Sequence, residues 1–385
     1  MKNIIYTACF LMMPSSFLFA QEANTAKPQK IYGIAREDKP VAYYENQSRL
    51  WQELIEKEPS YAEGWINYFR AERAKLQLEQ PDLWMNDKEA FNNTLSPILI
   101  KAKKDIGNTF DYYWMKAYNT SGKTRVDALK KAHSIDPERD EIYGGLLVHY
   151  ASNFNTKEAV LLGKRMLMSN IYSDANLKWN YNALVSVEKD GILITLGDID
   201  GISKWVLQYG ANIRPDVLVI SKWLLATDTA YQHTIYRTID IPLPKLQVTN
   251  FKDTSLYADY LIADLLKRAK RPAYISSGNP PSFFKNNGLE GNLHLVGIVL
   301  KYSNEAFDNT PFLIENFENN YYLEYLFKNF QHHQEDKLVK MQLNATYLPG
   351  LKQLKEYFQS KGKEAKVKHY DKLINQIVSD SLLKE

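Results

Sequence analysis

Two carboxylates separated by one residue stand in the stretch TLGDIDGISKW, residues 195–205, which follows an apolar run. If that run is a strand, Asp198 and Asp200 leave its carboxyl end, where ligands bind in α/β sheets. Such a pair can share a hard cation such as Mg²⁺ or Ca²⁺ and support chemistry on a sugar or phosphate substrate. The structural alternative is that one aspartate caps a helix beginning near Ile202, while the flanking glycines relax the turn. Both interpretations stay open.

A second candidate site is the loop SSGNPPSFF, residues 276–284, which follows another apolar run. It is expected to open at the same end of the sheet as the two aspartates. Hydroxyl and amide groups of Ser276, Ser277 and Asn279 could hold a phosphate or a sugar there. The alternative is a proline-rich turn without a ligand. Lys285 follows the loop outside the Gly-Lys-Ser/Thr arrangement of phosphate-binding loops.

The histidines show no metal-ligand spacing. They are His133, His149, His233, His294, His332, His333 and His369. The chain also lacks a His-Glu-x-x-His motif, a Gly-x-Ser-x-Gly motif and a glycine-rich phosphate loop, so the standard hydrolase and nucleotide-binding schemes have no anchor residues. The sequence therefore predicts no cofactor, and a divalent cation at Asp198 and Asp200 is the open alternative.

The elements that would position these residues begin at Gly191, where the pattern changes from helical to short apolar runs. The runs are GILITLG, DVLVISKWLL, RPAYISSG and LHLVGIVLKYS. Helical stretches such as residues 254–269 separate them, and continuous apolar runs alternating with helices are typical of buried parallel strands. We therefore predict a small Rossmann-like parallel α/β domain over residues 189–317.

Helical periodicity dominates on both sides of this domain. Residues 41–188 show apolar side chains at three- and four-residue spacing, with a break at Pro59. The segment ALKKAHSIDPERDEIYGGLL resembles a tetratricopeptide repeat, in which small alanines let helices approach and a proline ends the second helix. The alternative is a helical bundle without repeats. Residues 318–385 predict a C-terminal helical region whose last hairpin turns at SKGK.

The N-terminus predicts export. Residues 1–20 combine a basic start, a short apolar segment and a small residue at Ala20, which is typical of a secretory signal peptide. Residues 21–40 are predicted to form a flexible lead-in segment before the first helix. Cleavage would remove Cys9, the only cysteine, which suits a bacterial periplasm or secretion. A formal net charge of +3 gives no indication of a nucleic-acid partner, and no transmembrane segment is expected after cleavage.

The stretch ILITLGDIDGISKWVLQYGANIRPDVLVISKWLL, residues 192–225, resembles the soluble C-terminal part of a family of bacterial multi-pass membrane proteins related to protein O-mannosyltransferases. The residues that match are Gly197, Asp198, Asp200, Trp205, Leu207, Gln208, Arg214, Asp216 and Val217. Leu196 replaces the usual asparagine, and Gly201-Ile202 replaces Thr-Phe. The resemblance extends more weakly over residues 185–345. It implies a soluble accessory part without the glycosyltransferase-like membrane core, and it assigns no catalytic residue.

These observations favour a periplasmic, non-enzymatic binding or scaffold protein. Its helical region would hold a protein or glycan partner of the cell envelope, as an accessory to envelope glycan or glycoprotein assembly. The competing hypothesis is a divalent-metal enzyme that acts on a sugar or phosphate substrate through Asp198 and Asp200. That hypothesis needs a further acidic or histidine ligand near another strand end. Asp216, at a strand start, is expected to be structural.

Overall fold

The computed structural model of the chain describes residues 27–34, 37, 39–277, 281–328, 336 and 339–382. The predicted leader, Asn279 and the adjacent His332 and His333 lie outside the described residues. The described chain forms two compact units, one ending at His149 and the other beginning at Tyr150. Among the described helices, none combines the length and the apolar character needed to cross a membrane.

In the first unit, every regular element of the described part is a helix. The helices are α1 (Val41–Lys57), α2 (Ala62–Glu79), α3 (Pro81–Asn86), α4 (Lys88–Ile106), α5 (Phe110–Tyr118), α6 (Gly122–Ile135), a 3-10 turn (Asp140–Ile142) and α7 (Tyr143–Ser152), which runs across the division between the units. The predicted break at Pro59 is confirmed, because α1 ends before it and α2 begins after it. Helix α1 packs against α2, and α5 packs against α6. Buried alanines, Ala71 on α2 and Ala132 on α6, leave room for neighbouring helices.

The second unit combines helices with a five-stranded sheet. Its elements are α8 (Thr156–Met168), α9 (Asp174–Val185), β1 (Ile192–Thr195), α10 (Asp198–Trp205), β2 (Leu218–Ser221), α11 (Lys222–Thr227), α12 (Thr229–Thr238), α13 (Thr254–Arg268), β3 (Ala273–Ser276), α14 (Pro281–Asn286), β4 (Leu293–Leu295), β5 (Val299–Tyr302), α15 (Thr310–Glu315), α16 (Leu348–Ser360) and α17 (Glu364–Leu382). A π-helical turn, Val206–Gly210, continues α10. Helices α8 and α9, which the sequence assigned to the helical domain, lie in the unit of the sheet.

The sheet has the strand order β2-β1-β3-β5-β4 and is mixed. Strands β1, β2 and β3 are parallel, as their continuous apolar runs predict. Strand β5 pairs antiparallel with both β3 and β4. The run LHLVGIVLKYS was predicted to be one buried parallel strand, and this prediction is wrong. The run forms the hairpin of β4 and β5 instead.

Gly297 causes this difference, because it turns the chain inside the apolar run. Its φ is +122°, a left-handed conformation that side chains rarely adopt. A Cβ atom there would also overlap the hydroxyl of Tyr321. The turn closes when the N–H of Val296 donates to the carbonyl of Val299 at 3.0 Å. Apolar residues on both sides hide this turn from a pattern based on hydrophobicity.

One face of the sheet carries the core of the second unit. Ile192, Ile194, Ile220 and Ile275 are fully buried on this face and pack with side chains of α12 and α13. Burying one such aliphatic side chain contributes about 1.5–3 kcal/mol relative to leaving it exposed. Near the C-terminus, α16 and α17 pack as the hairpin that the sequence predicts. Its turn contains Gly362, whose φ is +66°.

Arg214 ties the residues before β2 to the end of α9. Its Nε and Nη2 groups donate to the carboxylate of Asp216 at 2.9 and 2.7 Å. Its Nη1 group donates to the carbonyls of Leu184 and Val187, and Nη2 also donates to the carbonyl of Glu188. All five N–H bonds of the guanidinium are therefore used. Asp216 orients this side chain.

Asp216→Asn is expected to destabilise the protein at neutral pH and to have little effect in acid. Hydrogen bonds from Arg214 lower the pKa of Asp216 from 3.8 to about 2. Because the folded pKa lies below the unfolded one, the pair stabilises the fold above pH 4, and this stabilisation is lost as the pH falls through 2. With a partly exposed side chain, the loss at pH 7 should be about 1–2 kcal/mol. Urea denaturation at pH 7 and below pH 2 measures the free energy of unfolding of both proteins. An equal loss of stability at the two pH values would contradict the prediction.

Candidate functional site

The strand order brings two chain segments together at the carboxyl ends of β1 and β3. Strand β1 lies between β2 and β3. The connection that leaves β1 therefore leads to one side of it, and the connection that leaves β2 leads back across to the other side. In parallel sheets such a reversal opens a crevice in which ligands bind. Asp200 on α10 and Ser276 at the end of β3 meet at this point, where Ser276 Oγ donates to Asp200 Oδ1 at 3.0 Å. Two of the residues singled out in the sequence are thus in direct contact.

Both carboxylate oxygens of Asp200 are engaged within the protein. Oδ2 accepts the backbone N–H of Leu196 at 2.8 Å, and Oδ1 accepts Ser276 Oγ and the ammonium of Lys204. Lys204 lies four residues further along α10, a spacing that aligns two side chains on one helix face. Asp200 is only 8% exposed. Its carboxylate therefore serves as an internal acceptor and ion-pair partner.

Lys204 is completely buried, with 0% of its surface exposed. Its Nζ donates to Asn180 Oδ1 at 2.8 Å, to the backbone carbonyl of Asp200 at 2.9 Å and to the Asp200 carboxylate. These three acceptors satisfy the three N–H bonds of an ammonium. The ring of Trp179 lies 4.7 Å from Nζ and adds a cation–π contact. Burial lowers the pKa of Lys204, and the charge of Asp200 opposes that shift.

The residues around Lys204 are held by further hydrogen bonds. Asn180 Nδ2 donates to the carbonyl of Ile199 at 3.1 Å, which joins α9 to α10. Trp179 Nε1 donates to the carbonyl of Leu343 at 3.1 Å and to Thr346 Oγ1 at 3.0 Å. The ion pair is therefore the centre of a network that reaches α9, α10, β3 and the chain ahead of α16.

The remaining predicted site residues lie elsewhere. Asp198 is exposed in the first turn of α10, and Ser277 Oγ donates to the carbonyl of Ile298 at 2.7 Å. The alternative interpretation, in which one aspartate caps a helix that begins near Ile202, does not match the structure, because α10 already begins at Asp198 after Gly197. Negative charge in the first turn complements the helix dipole, which favours this earlier start.

The described residues give the predicted cation site little support. Within them, no group of three or more His, Cys, Asp or Glu side chains is placed to hold a metal ion. A cation shared by Asp198 and Asp200 would have to displace the ammonium of Lys204, which already has three acceptors. Asp198 is exposed whereas Asp200 is buried, so the two carboxylates lie in different environments.

Lys204, Asn180 and Trp179 are not among the candidate residues that the sequence indicates. The i, i+4 spacing of Asp200 and Lys204 was the signal that could have indicated the ion pair. Nothing in the local sequence indicates that a lysine on this helix faces inward, because long charged side chains are rarely buried in full. The partners on α9 also depend on tertiary packing.

A second group of charged side chains lies inside the helical unit. Arg73 on α2 stacks near two aromatic rings, with its Cζ 4.7 Å from the centre of Trp84 and 5.1 Å from that of Phe91. Its Nη1 donates to the carbonyl of Tyr118 at 3.1 Å. Arg125 on α6 lies 5.7 Å above the ring of Tyr118. In the described part of the chain, no carboxylate forms an ion pair with either arginine.

Burial lowers the pKa of Arg73 to about 10; the nearby Tyr118 raises it, and Arg125 lowers it further. Arg73 therefore remains charged at neutral pH, its side chain is partly exposed, and it lacks a carboxylate counter-ion among the described residues. Arg139 in the same unit shows the usual arrangement, since it pairs with Asp111 and Glu141 at 2.9 and 2.7 Å. Arg73, in contrast, has no carboxylate partner in the described part of the chain.

Comparison with known protein families finds no model that matches this chain, and no curated protein matches it either.

Lys204→Met is expected to destabilise the protein by about 3–5 kcal/mol, because it leaves the buried Asp200 without its cation. The double variant Lys204→Met, Asp200→Asn should recover much of this loss, since an amide carries no charge. Lys178→Met is the matched control on α9, where a partly exposed pair with Asp174 contributes at most about 1 kcal/mol. Urea denaturation measures all three. A Lys204→Met variant as stable as the control would contradict the structural role.

Divalent cations are expected to leave the thermal stability unchanged, because Asp200 is already neutralised by Lys204. Melting temperatures of the wild type and of Asp198→Asn, with and without Mg²⁺, Mn²⁺ or Ca²⁺, provide the test. If a cation raised the melting temperature of the wild type and not of Asp198→Asn, the two aspartates would bind metal after all.

Proposed function

We propose that this protein is an exported, non-enzymatic binding or scaffold protein of the bacterial cell envelope. Its helical unit holds a protein or glycan partner through an anionic group. The observation that carries the proposal is the position of Arg73, a partly buried cation beside the rings of Trp84 and Phe91 without a carboxylate partner among the described residues. A charge that is partly removed from water gains from a counter-ion, so a bound anion would complete this site.

The chemistry of the site favours an oxyanion. Arg73 uses one hydrogen bond to the carbonyl of Tyr118, which leaves other N–H bonds of its planar guanidinium for a ligand. Arg125 supplies a second cation beside the same tyrosine. Guanidinium groups bind carboxylates and phosphates in a bidentate manner, and aromatic rings flank such groups well. Trp84 and Phe91 would contact the apolar part of the same partner.

The cellular location and biological context rest on other parts of the chain. The leader at residues 1–20 supports export to the periplasm or beyond. The resemblance of residues 192–225 to the O-mannosyltransferase-related family supports a role beside envelope glycan or glycoprotein assembly. The binding site proposed for the helical unit does not depend on the leader or on the family resemblance.

The alternative is a divalent-metal enzyme that uses Asp198 and Asp200 on a sugar or phosphate. It would require Asp200 to exchange a buried, fully bonded ammonium for a cation. The buried ion pair favours the binding protein over this enzyme.

Binding of anionic polymers by the purified protein tests the proposal. We expect an oligoglutamate peptide or a uronic-acid oligosaccharide to bind and to change the tryptophan fluorescence, whereas a neutral oligosaccharide should not. Arg73→Gln should weaken the affinity about tenfold or more, since charge-assisted hydrogen bonds contribute about 1.5–3 kcal/mol.

Arg49→Gln is the matched control, because Arg49 lies exposed on α1 and pairs with Glu53. This variant should bind like the wild type. The proposal fails if neither anionic ligand binds, or if Arg73→Gln and Arg49→Gln bind equally well.

A further inference from the structure

A cavity of about 490 Å³ lies beside strand β2 in the unit that contains the sheet. This volume is in the range of small-molecule sites. Aromatic rings form part of its wall, with Phe154, Trp205, Tyr209 and Tyr231 among its lining residues. The site is distinct from the buried ion pair of Lys204 and from the arginines of the helical unit.

The cavity borders the edge of β2 rather than one of its faces. Three consecutive residues, Val217, Leu218 and Val219, line it. Because successive residues of a strand point to opposite faces, a space that touches all three must lie along the strand edge. Strand β2 is the terminal strand of the sheet, so this edge has no neighbouring strand.

Only a short part of that edge remains open. The carbonyl of Val217 accepts Gln208 Nε2 at 2.7 Å, and the N–H of Ser221 donates to Tyr231 Oη at 3.2 Å. Leu218 N–H points inward and donates to the carbonyl of Gly191 at 2.9 Å. The N–H and C=O groups of Val219 must therefore point away from β1. No described residue hydrogen-bonds to them.

Unusual backbone conformations surround the cavity. The π-helical turn Val206–Gly210 forms part of its wall, and such turns occur frequently at functional sites. Phe154 and Asn212 both have a φ of +55°, a conformation that is rare for a bulky residue such as phenylalanine. Close backbone contact also builds the wall, since a Cβ atom on Gly163 would lie 2.8 Å from the nitrogen of Gly210.

The charged groups that line the cavity favour a neutral ligand. Asp216 pairs with Arg214, and Arg271 Nη2 donates to the backbone carbonyls of Gly191 and Asp216. Lys164 also lines the cavity, but it is exposed to solvent. The interior offers aromatic surface together with the backbone N–H and C=O of Val219, which have no hydrogen-bond partner among the described residues.

We propose that this cavity binds a small neutral molecule in which two amides flank one carbon, as in an amino acid blocked at both ends. The carbonyl on one side of that carbon accepts the N–H of Val219, and the amide N–H on its other side donates to the Val219 carbonyl. Gln208 and Tyr231 occupy the adjacent edge groups, so a longer strand cannot pair there. A blocked amino acid carries this pair of groups, whereas an N-acetylated amino sugar carries a single trans amide whose N–H and C=O point in opposite directions. The proposal does not depend on the function of the helical unit.

Ligand-detected NMR titration of the full chain tests this proposal with matched pairs. N-acetylalanine methylamide is compared with O-acetyl-lactic acid methylamide, in which an ester oxygen replaces the N–H that would donate to the Val219 carbonyl, and N-acetylglucosamine is compared with glucose. The blocked amino acid is expected to bind ten times more tightly than its ester analogue, whereas the single amide of the sugar should give no such preference over glucose. If the blocked amino acid binds no better than its ester analogue, the proposal is overturned.

Two variants locate the binding. Val219→Pro removes the outward N–H, and proline is tolerated at edge positions of a sheet. It should weaken binding of the blocked amino acid about tenfold, whereas Val219→Ala keeps the N–H and should bind this ligand like the wild type. Val160→Trp on α8 fills the cavity and should abolish binding even if Val219→Pro does not fold. Unchanged amide binding in folded Val219→Pro or in Val160→Trp would overturn the proposal.

Discussion

An ammonium group without contact to water needs hydrogen-bond acceptors and negative charge from the protein to replace its lost hydration. For Lys204, three acceptors and one aromatic ring on α9 and α10 provide them. Its counter-ion Asp200 is held in turn by Ser276 at the end of β3. Burial of one charge thus constrains the relative positions of two helices and a strand. Removing either charge exposes the other to a large desolvation cost.

The ion pair lies at the carboxyl ends of the parallel strands, where α/β sheets commonly bind ligands. The crevice at the carboxyl ends of β1 and β3 is occupied by protein side chains that satisfy one another. Two groups that a ligand could partner lie elsewhere. They are the partly buried guanidinium of Arg73 in the helical unit, which has no carboxylate partner among the described residues, and the outward backbone of Val219 on the sheet edge. A ligand would supply the missing partner in each case, as the proposed binding function requires.

Some elements could be read from the sequence because their signals are local. Apolar runs bounded by glycine and proline predict the three parallel strands, and helical periodicity predicts α13 and the hairpin of α16 and α17. The turn at Gly297 could not be read, since apolar residues flank it on both sides. Burial of Lys204 and the open edge at Val219 depend on strand order and on packing against distant helices. No spacing along the chain encodes these features directly.

The central claim is that Lys204 is a buried ammonium permanently paired with Asp200. Heteronuclear NMR of the lysine side-chain Nζ group tests it most directly. We predict a slowly exchanging ammonium signal close to the Trp179 ring, unchanged by Mg²⁺ or Ca²⁺. A Lys204 signal that exchanges rapidly with water and shifts when a cation is added would contradict the claim. That result would return Asp200 to the role of a metal ligand.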